Sequence, residues 1–231
     1  MPRHLPAKNA RPLARAALTY DRDAGTSSRE SAMKTPDLVF RGRRLSSDRA
    51  LVLAAVPVLP SARDVVRNAV ADGADLVSFA GTGVEPLVAW ARETFPELVV
   101  GVDTEDPAVA RAGCEAGADL ILARADLAEV AARFGAGYAG PVVPDAADLP
   151  VDGVVLDVGV LRTAPSLPED VPVLVEVAGD GTPAGLALAA LAASAGAAII
   201  RTAHVRETRH VAEMAASIAG TRPPAKAVRW E

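Results

Sequence analysis

Aromatic side chains make up only 3% of this 231-residue chain, so its interior must be built from alanine, valine and leucine. Small aliphatic side chains of that kind suit a parallel sheet covered closely by helices. There is one cysteine, Cys114. An internal disulfide is excluded, and a reducing compartment, the cytoplasm, is the expected home. Cationic excess is missing too: the formal net charge is −5, without the basic face that a nucleic-acid partner would need. No apolar run approaches the ~20 residues that cross a bilayer, so no membrane span is expected. Histidine numbers three, and neither His4 nor His210 has a partner at metal-ligand spacing. No metal site is expected. The opening MPRHLPAKNARPLARAALTY lacks the continuous apolar stretch of a secretory signal.

Half of the chain is hydrophobic, ample for one core at this length. Residues 1–36 are polar, proline-containing and aperiodic, and read as a disordered tail; residues 37–220 read as one domain and 221–231 as a second tail. Leu38 to Phe40 suggest a short hairpin or lead-in strand turning at Ser46 or Ser47. From Leu51 onward, apolar runs alternate with helical patterns. Strand candidates are 51–56, 74–79, 98–103, 118–122, 139–143, 154–158, 171–178 and 197–200. Ser61 and Asp106 stand where N-caps belong, and Pro107 suits a first helical position. The segments ADGADLVSF, EAGADLILA and SAGAAIIRT repeat one device: a helix end, a glycine, a small residue and a buried strand. Repeated strand–helix units imply a parallel sheet with right-handed crossovers. Eight of them make a (β/α)8 barrel. The span is short for that fold, so the fifth and sixth helices are expected to be reduced or absent. An open doubly wound sheet is the alternative.

In a barrel, the residues ending each strand share one mouth. Those positions are Pro57, Ser78, Asp103, Ala123, Val143, Asp157, Gly179 and Arg201. Two carboxylates and a guanidinium would suit a small polar heterocycle, with Asp157 accepting from ring N–H groups and Arg201 stacking on the ring or holding an anion. The plainer alternative has Asp103 capping the next helix and Arg201 pairing with a carboxylate. His204 follows the last strand as a surface group or an anion contact. Arg162 is a second candidate anion contact or a solvated loop arginine. Cys114 reads as a small hydrophobe, and the glycine loops AGTGVEP and AGDGTPAG as turns.

Three passages, GRRLSSDRALVLAAV, LVVGVDTEDPAVARAGCEAGADLI and AAIIRTAHVRETRHVAEMAASIAGTRPP, resemble the dihydropteroate synthases, and more closely their divergent bacterial homologues. The resemblance implies a (β/α)8 barrel that joins a pterin methyl diphosphate to p-aminobenzoate, with Mg2+ present and no other cofactor. It implies pterin contacts at Asp103, Asp157 and Arg201, and pairing into a homodimer or with a homologous barrel. It also exposes losses. The family's Asn after strand four falls at Leu122, its Lys after strand seven near Asp180, and its final His at Ala203, with His204 one place on. The Asn-bearing first loop is reduced to PVLPSA. A departing diphosphate needs preorganised positive charge, and each lost donor is worth ~3–4 kcal/mol of barrier. A degraded active site with little or no synthase turnover is the expectation; a working synthase using Arg162 and His204 instead is the alternative.

Overall fold

The computed structural model describes residues 37–141 and 153–223. The two expected tails, apart from 221–223, and the strand-end position Val143 lie outside them. A hairpin comes first, β1 (Leu38–Phe40) and β2 (Arg43–Leu45). Then follow β3 (Leu51–Pro57), α1 (Ala62–Ala71), β4 (Leu76–Ala80), α2 (Glu85–Thr94), β5 (Val99–Asp103), α3 (Pro107–Glu115), β6 (Leu120–Leu122), α4 (Ala128–Phe134) and β7 (Gly137–Gly140). The chain ends with β8 (Val154–Leu161), β9 (Val173–Val177), α5 (Pro183–Ser194), β10 (Ile199–Thr202) and α6 (Val205–Ala219). Strands β3 to β10 close into an eight-stranded parallel barrel, sealed where Ile199 pairs with Leu51. The expected (β/α)8 fold is present. No helix joins β8 to β9, and most of the β7–β8 connection falls in the undescribed 142–152.

Alternation along the strands separates two cores. Leu51, Leu53, Leu76, Val99, Leu120 and Ile199 point into the barrel, whereas Val52, Val56, Val77, Phe79 and Val102 pack outward against α1 and α2. The hairpin stoppers the amino-terminal end of the barrel, with Phe40 fully buried among the inward-facing leucines. Its turn is Arg41–Gly42, at φ +49° and +82°, rather than Ser46 or Ser47. Two positive φ values match the type I′ geometry that fits strand twist.

The repeated helix stop is as expected and occurs twice more than expected. Gly73, Gly117 and Gly196 follow helix ends at φ +94°, +108° and +94°, and each next amide donates back five residues, as Ala74 N–H does to Ala69 O (2.9 Å). Gly135 is a fourth copy and Gly220 a fifth. Asp106 caps α3, accepting from Ala108 N–H at 2.8 Å. Ser61 sits at the head of α1, but its side chain makes no capping bond; its carbonyl serves Asp64 and Val65 instead.

Two copies of the stop carry an aspartate that clasps the floor of the barrel. Asp75 accepts from Val52 N–H (2.8 Å) and from both terminal nitrogens of Arg49 (2.6 and 2.8 Å). Asp119, fully buried, accepts from Val100 N–H (2.9 Å), Arg43 (2.6 Å) and Arg92 (2.5 Å). Burial pushes the Asp119 carboxyl up, against the pull of Val100 N–H, Arg92 and Arg43, and burial likewise lowers Arg92. Desolvation thus competes with attraction: such a pair adds little over an apolar one but costs much to break. Cys114 is buried, as expected, and its thiol is pushed up to about 11 by desolvation.

Candidate functional site

At the carboxyl-terminal end of the barrel the inward positions become polar. Asp103 ends β5, Asp157 lies within β8, Glu176 within β9 and Arg201 within β10. With Glu105, Leu122 and Arg124 they line one cleft. Asp103, Asp157 and Arg201 are therefore neighbours, although 98 positions separate the first and last. The Arg201 guanidinium donates to Asp103 at 2.5 Å, and its Nε lies 4.0 Å from Glu176. Asp157 accepts from Gly159 N–H at 2.8 Å, within a bulge between β8 and β9. Asp103 does not cap α3, because Asp106 does.

The two remaining candidates stand apart. His204 is exposed at the head of α6, its ring against Gly181 so closely that a side chain there would collide. Arg162 is exposed just past β8. Neither lines the cleft. Asp180 is occupied structurally: Thr202 Oγ1 donates to it at 2.6 Å and Ala203 N–H at 2.7 Å, tying the loop after β9 to the loop after β10.

Three charged lining residues escaped the sequence reading. Glu176 could have been found from the alternation of VLVEV, which puts it on the same side as Leu174. Glu105 and Arg124 carry no such signal, since both sit in loops. Glu105 accepts from Arg124 N–H (2.9 Å) and Ala125 N–H (2.5 Å), which joins the loops after β5 and β6.

Four carboxylates thus face two guanidiniums across the cleft, and one of those guanidiniums is already paired. The space left is about 50 Å³, well short of the ~300 Å³ at which ordinary ligand pockets begin. A larger hollow of about 210 Å³ lies at the opposite end, between Leu38, Arg49 and Leu51 on one side and Ala193, Ala212 and Ala216 on the other, away from the cleft. Among the described residues no three His, Cys, Asp or Glu side chains come together at metal-holding distances. The carboxylates that a Mg2+ would need are committed to Arg201 and to backbone amides, so the residues do not fit that ion. Nor is any helix there long and apolar enough to cross a membrane.

No family model matches the chain. Proteins named inactive dihydropteroate synthase 2 from Mycobacterium tuberculosis and Mycobacterium bovis are each 31% identical to it over 285 residues, 81% of this chain and 89% of theirs. The protein of that name from Mycobacterium leprae is 31% identical and covered to 97%. These alignments exceed 231 positions, so the relatives carry internal segments that this chain lacks. Among solved structures, Mycobacterium tuberculosis Rv1207 superposes with a TM-score of 0.68 at 32% identity, over 83% of this chain and all of that one. The Yersinia pestis dihydropteroate synthase bound to a pterine–sulfa conjugate gives 0.69 at 22% identity, over 80% of this chain and all of that one; at that identity the likeness is one of fold. Taken with the relatives at 31% identity, the barrel and its mouth show that this chain belongs to the dihydropteroate synthase family.

Proposed function

We propose that this chain is a non-catalytic member of the family that has kept weak affinity for a neutral pterin and lost the capacity to make dihydropteroate. The observation that carries this reading is the acid-rich mouth, with Arg201 already engaged by Asp103. A diphosphate would meet net negative charge where its departure calls for positive charge. Asp180, where the family resemblance puts a lysine, adds no cation and is held by Thr202 and Ala203. The donor-rich edge of a pterin is the opposite case, since ring N–H and amino groups can give hydrogen bonds to Asp157 and Asp103. Because the cleft is small, entry requires Arg201 to swing away from Asp103, and that cost makes the affinity weak.

The test has two parts. Incubation with the pterin methyl diphosphate, p-aminobenzoate and Mg2+ should yield no dihydropteroate above the uncatalysed background; clear turnover would sink the reading. Calorimetry with 6-hydroxymethylpterin should give weak heat that Asp157→Asn abolishes, and unchanged affinity in the variant would remove Asp157 from the site.

The same reading includes a homodimer in a cytoplasmic setting. Leu191 on α5 and Met214 and Ile218 on α6 are 48%, 53% and 80% exposed on two helices packed against each other. Apolar side chains so exposed favour a second copy. Sedimentation should report a dimer that Ile218→Asp converts to monomer; a wild-type monomer at high concentration would refute the pairing.

A further inference from the structure

The hollow of about 210 Å³ at the amino-terminal end of the barrel owes its space to one face of α6. Ala212, Ala215, Ala216 and Ala219 recur there at helical spacing, so that face carries nothing larger than a methyl group toward Leu38 and Leu51. Arg49, in the link between β2 and β3, also lines the hollow. Its side chain is only 6% exposed, and its terminal nitrogens are engaged by Asp75 and Ala50 O. Its Nε is buried and has no hydrogen-bond partner among the described residues. Buried donors are nearly always paired. Apolar space and a donor in need of an acceptor thus occur side by side.

The chain itself leads back to this place. It turns at Gly220 after α6, and Thr221 lines the hollow. The Thr221 hydroxyl donates to Asp48 O at 2.9 Å, and the Arg222 guanidinium lies 3.9 Å from Asp48 and 3.7 Å from Glu213. These contacts hold the exit of α6 against the β2–β3 link, beside Arg49. Beyond Pro223, the last described residue, the sequence continues PAKAVRWE, with Val228 and Trp230 as its large apolar side chains. Trp230 follows Thr221 by nine positions, a reach of at most ~30 Å and ample for a turn and a return. A segment tethered so closely meets the hollow at an effective concentration on the order of millimolar.

We propose that the segment from Pro224 to Glu231 folds back over the hollow, seating the Trp230 indole against the α6 alanines and bringing a backbone carbonyl to Arg49 Nε. The end of the chain is then a strap that ties α5 and α6 to the hairpin stopper below the barrel. A tryptophan suits the seat because one flat ring buries ~150–250 Å², and methyl-lined walls leave room for it. Neither contact involves the mouth, so the strap is independent of pterin binding.

The experiment is tryptophan fluorescence on the full chain. Trp90 is the other of its two tryptophans, so Trp90→Phe leaves Trp230 as the single emitter. In that variant the folded protein should emit at shorter wavelength than the urea-unfolded chain and resist iodide quenching several-fold better. Ala216→Leu puts a larger side chain in the seat. Added to Trp90→Phe, it should return emission and quenching to those of an exposed indole while circular dichroism reports an intact barrel. Should that variant not fold, Ala219→Leu at the exposed rim of the hollow makes the same test. Exposed-type emission from folded Trp90→Phe protein overturns the strap, and so does a blue shift that survives filling of the hollow. A blue shift that disappears on dilution overturns it as well, since the indole would then sit in a second copy.

Discussion

Replacing Asp119 with alanine should lower stability by about 3–5 kcal/mol, the range for breaking a buried ion pair by removing one partner. The loss arises in what is left behind. Arg92 keeps its bonds to the carbonyls of Pro96 and Leu98, and Arg43 its bond to Pro96, but both guanidiniums lose their counter-charge and Val100 loses its acceptor. For a domain stabilised by ~5–15 kcal/mol, that is a large share. The measurement is the midpoint of denaturant unfolding, with the slope expected to stay near the wild-type value. Asp64 provides the contrast: it meets Arg67 at 2.7 Å, but the two side chains are 76% and 53% exposed. Asp64→Ala should therefore cost no more than about 0.5 kcal/mol. Equal effects from the two substitutions would show that burial does not govern the strength of the Asp119 clasp.

The contrast also explains which parts of this molecule could be read from its sequence. Strands 51–57 and 99–103 announce themselves as short β-rich runs ending at proline or aspartate, and burial on both faces keeps them apolar throughout. Helix ends were legible because one backbone device recurs and only glycine adopts its positive φ without cost. The aspartates inside those repeats were visible as letters but not as clasps, since Arg43 stands 76 positions before the Asp119 it binds. The hairpin turn was misplaced for a similar reason: serines are common turn formers, but Arg41 takes a left-handed conformation that its residue type does not advertise.

At the mouth, legibility followed the strands. Asp103, Asp157 and Arg201 could be nominated because a barrel brings strand ends together whatever their separation. His204 and Arg162 could not be judged that way, because where a loop side chain goes depends on what its loop packs against. Asp180 illustrates the same limit. As a letter it is a reversed charge, whereas in the fold it is the acceptor that holds Thr202 and Ala203 in place. Leu122 could be named as the place where the family's Asn falls, but only the bare Gly101 beside it reveals how far its side chain reaches.

The two ends of the barrel should also separate in experiment, and Phe40→Ala is the sharpest case. The Phe40 ring is fully buried, and it fits because Gly137 and Gly153 offer no side chains where it lies; a Cβ on either would come within 2.7 Å of the ring. Truncation removes the stopper from a packed interior, a change that typically costs about 3–5 kcal/mol when the surroundings cannot collapse. Collapse is resisted here, since Leu53, Val99, Leu120 and Ile199 are held by strand pairing around a closed ring. The unfolding midpoint should therefore fall about as far as for Asp119→Ala, although one variant loses a charge and the other only carbon. Neither residue lines the mouth, where Arg201 and Asp103 sit at the opposite ends of their strands. Affinity for 6-hydroxymethylpterin per folded molecule should accordingly match wild type in Phe40→Ala. If that variant stays folded and its affinity changes tenfold, the lower core reaches the mouth, and the division between a stabilising floor and a ligand-facing top fails for this barrel.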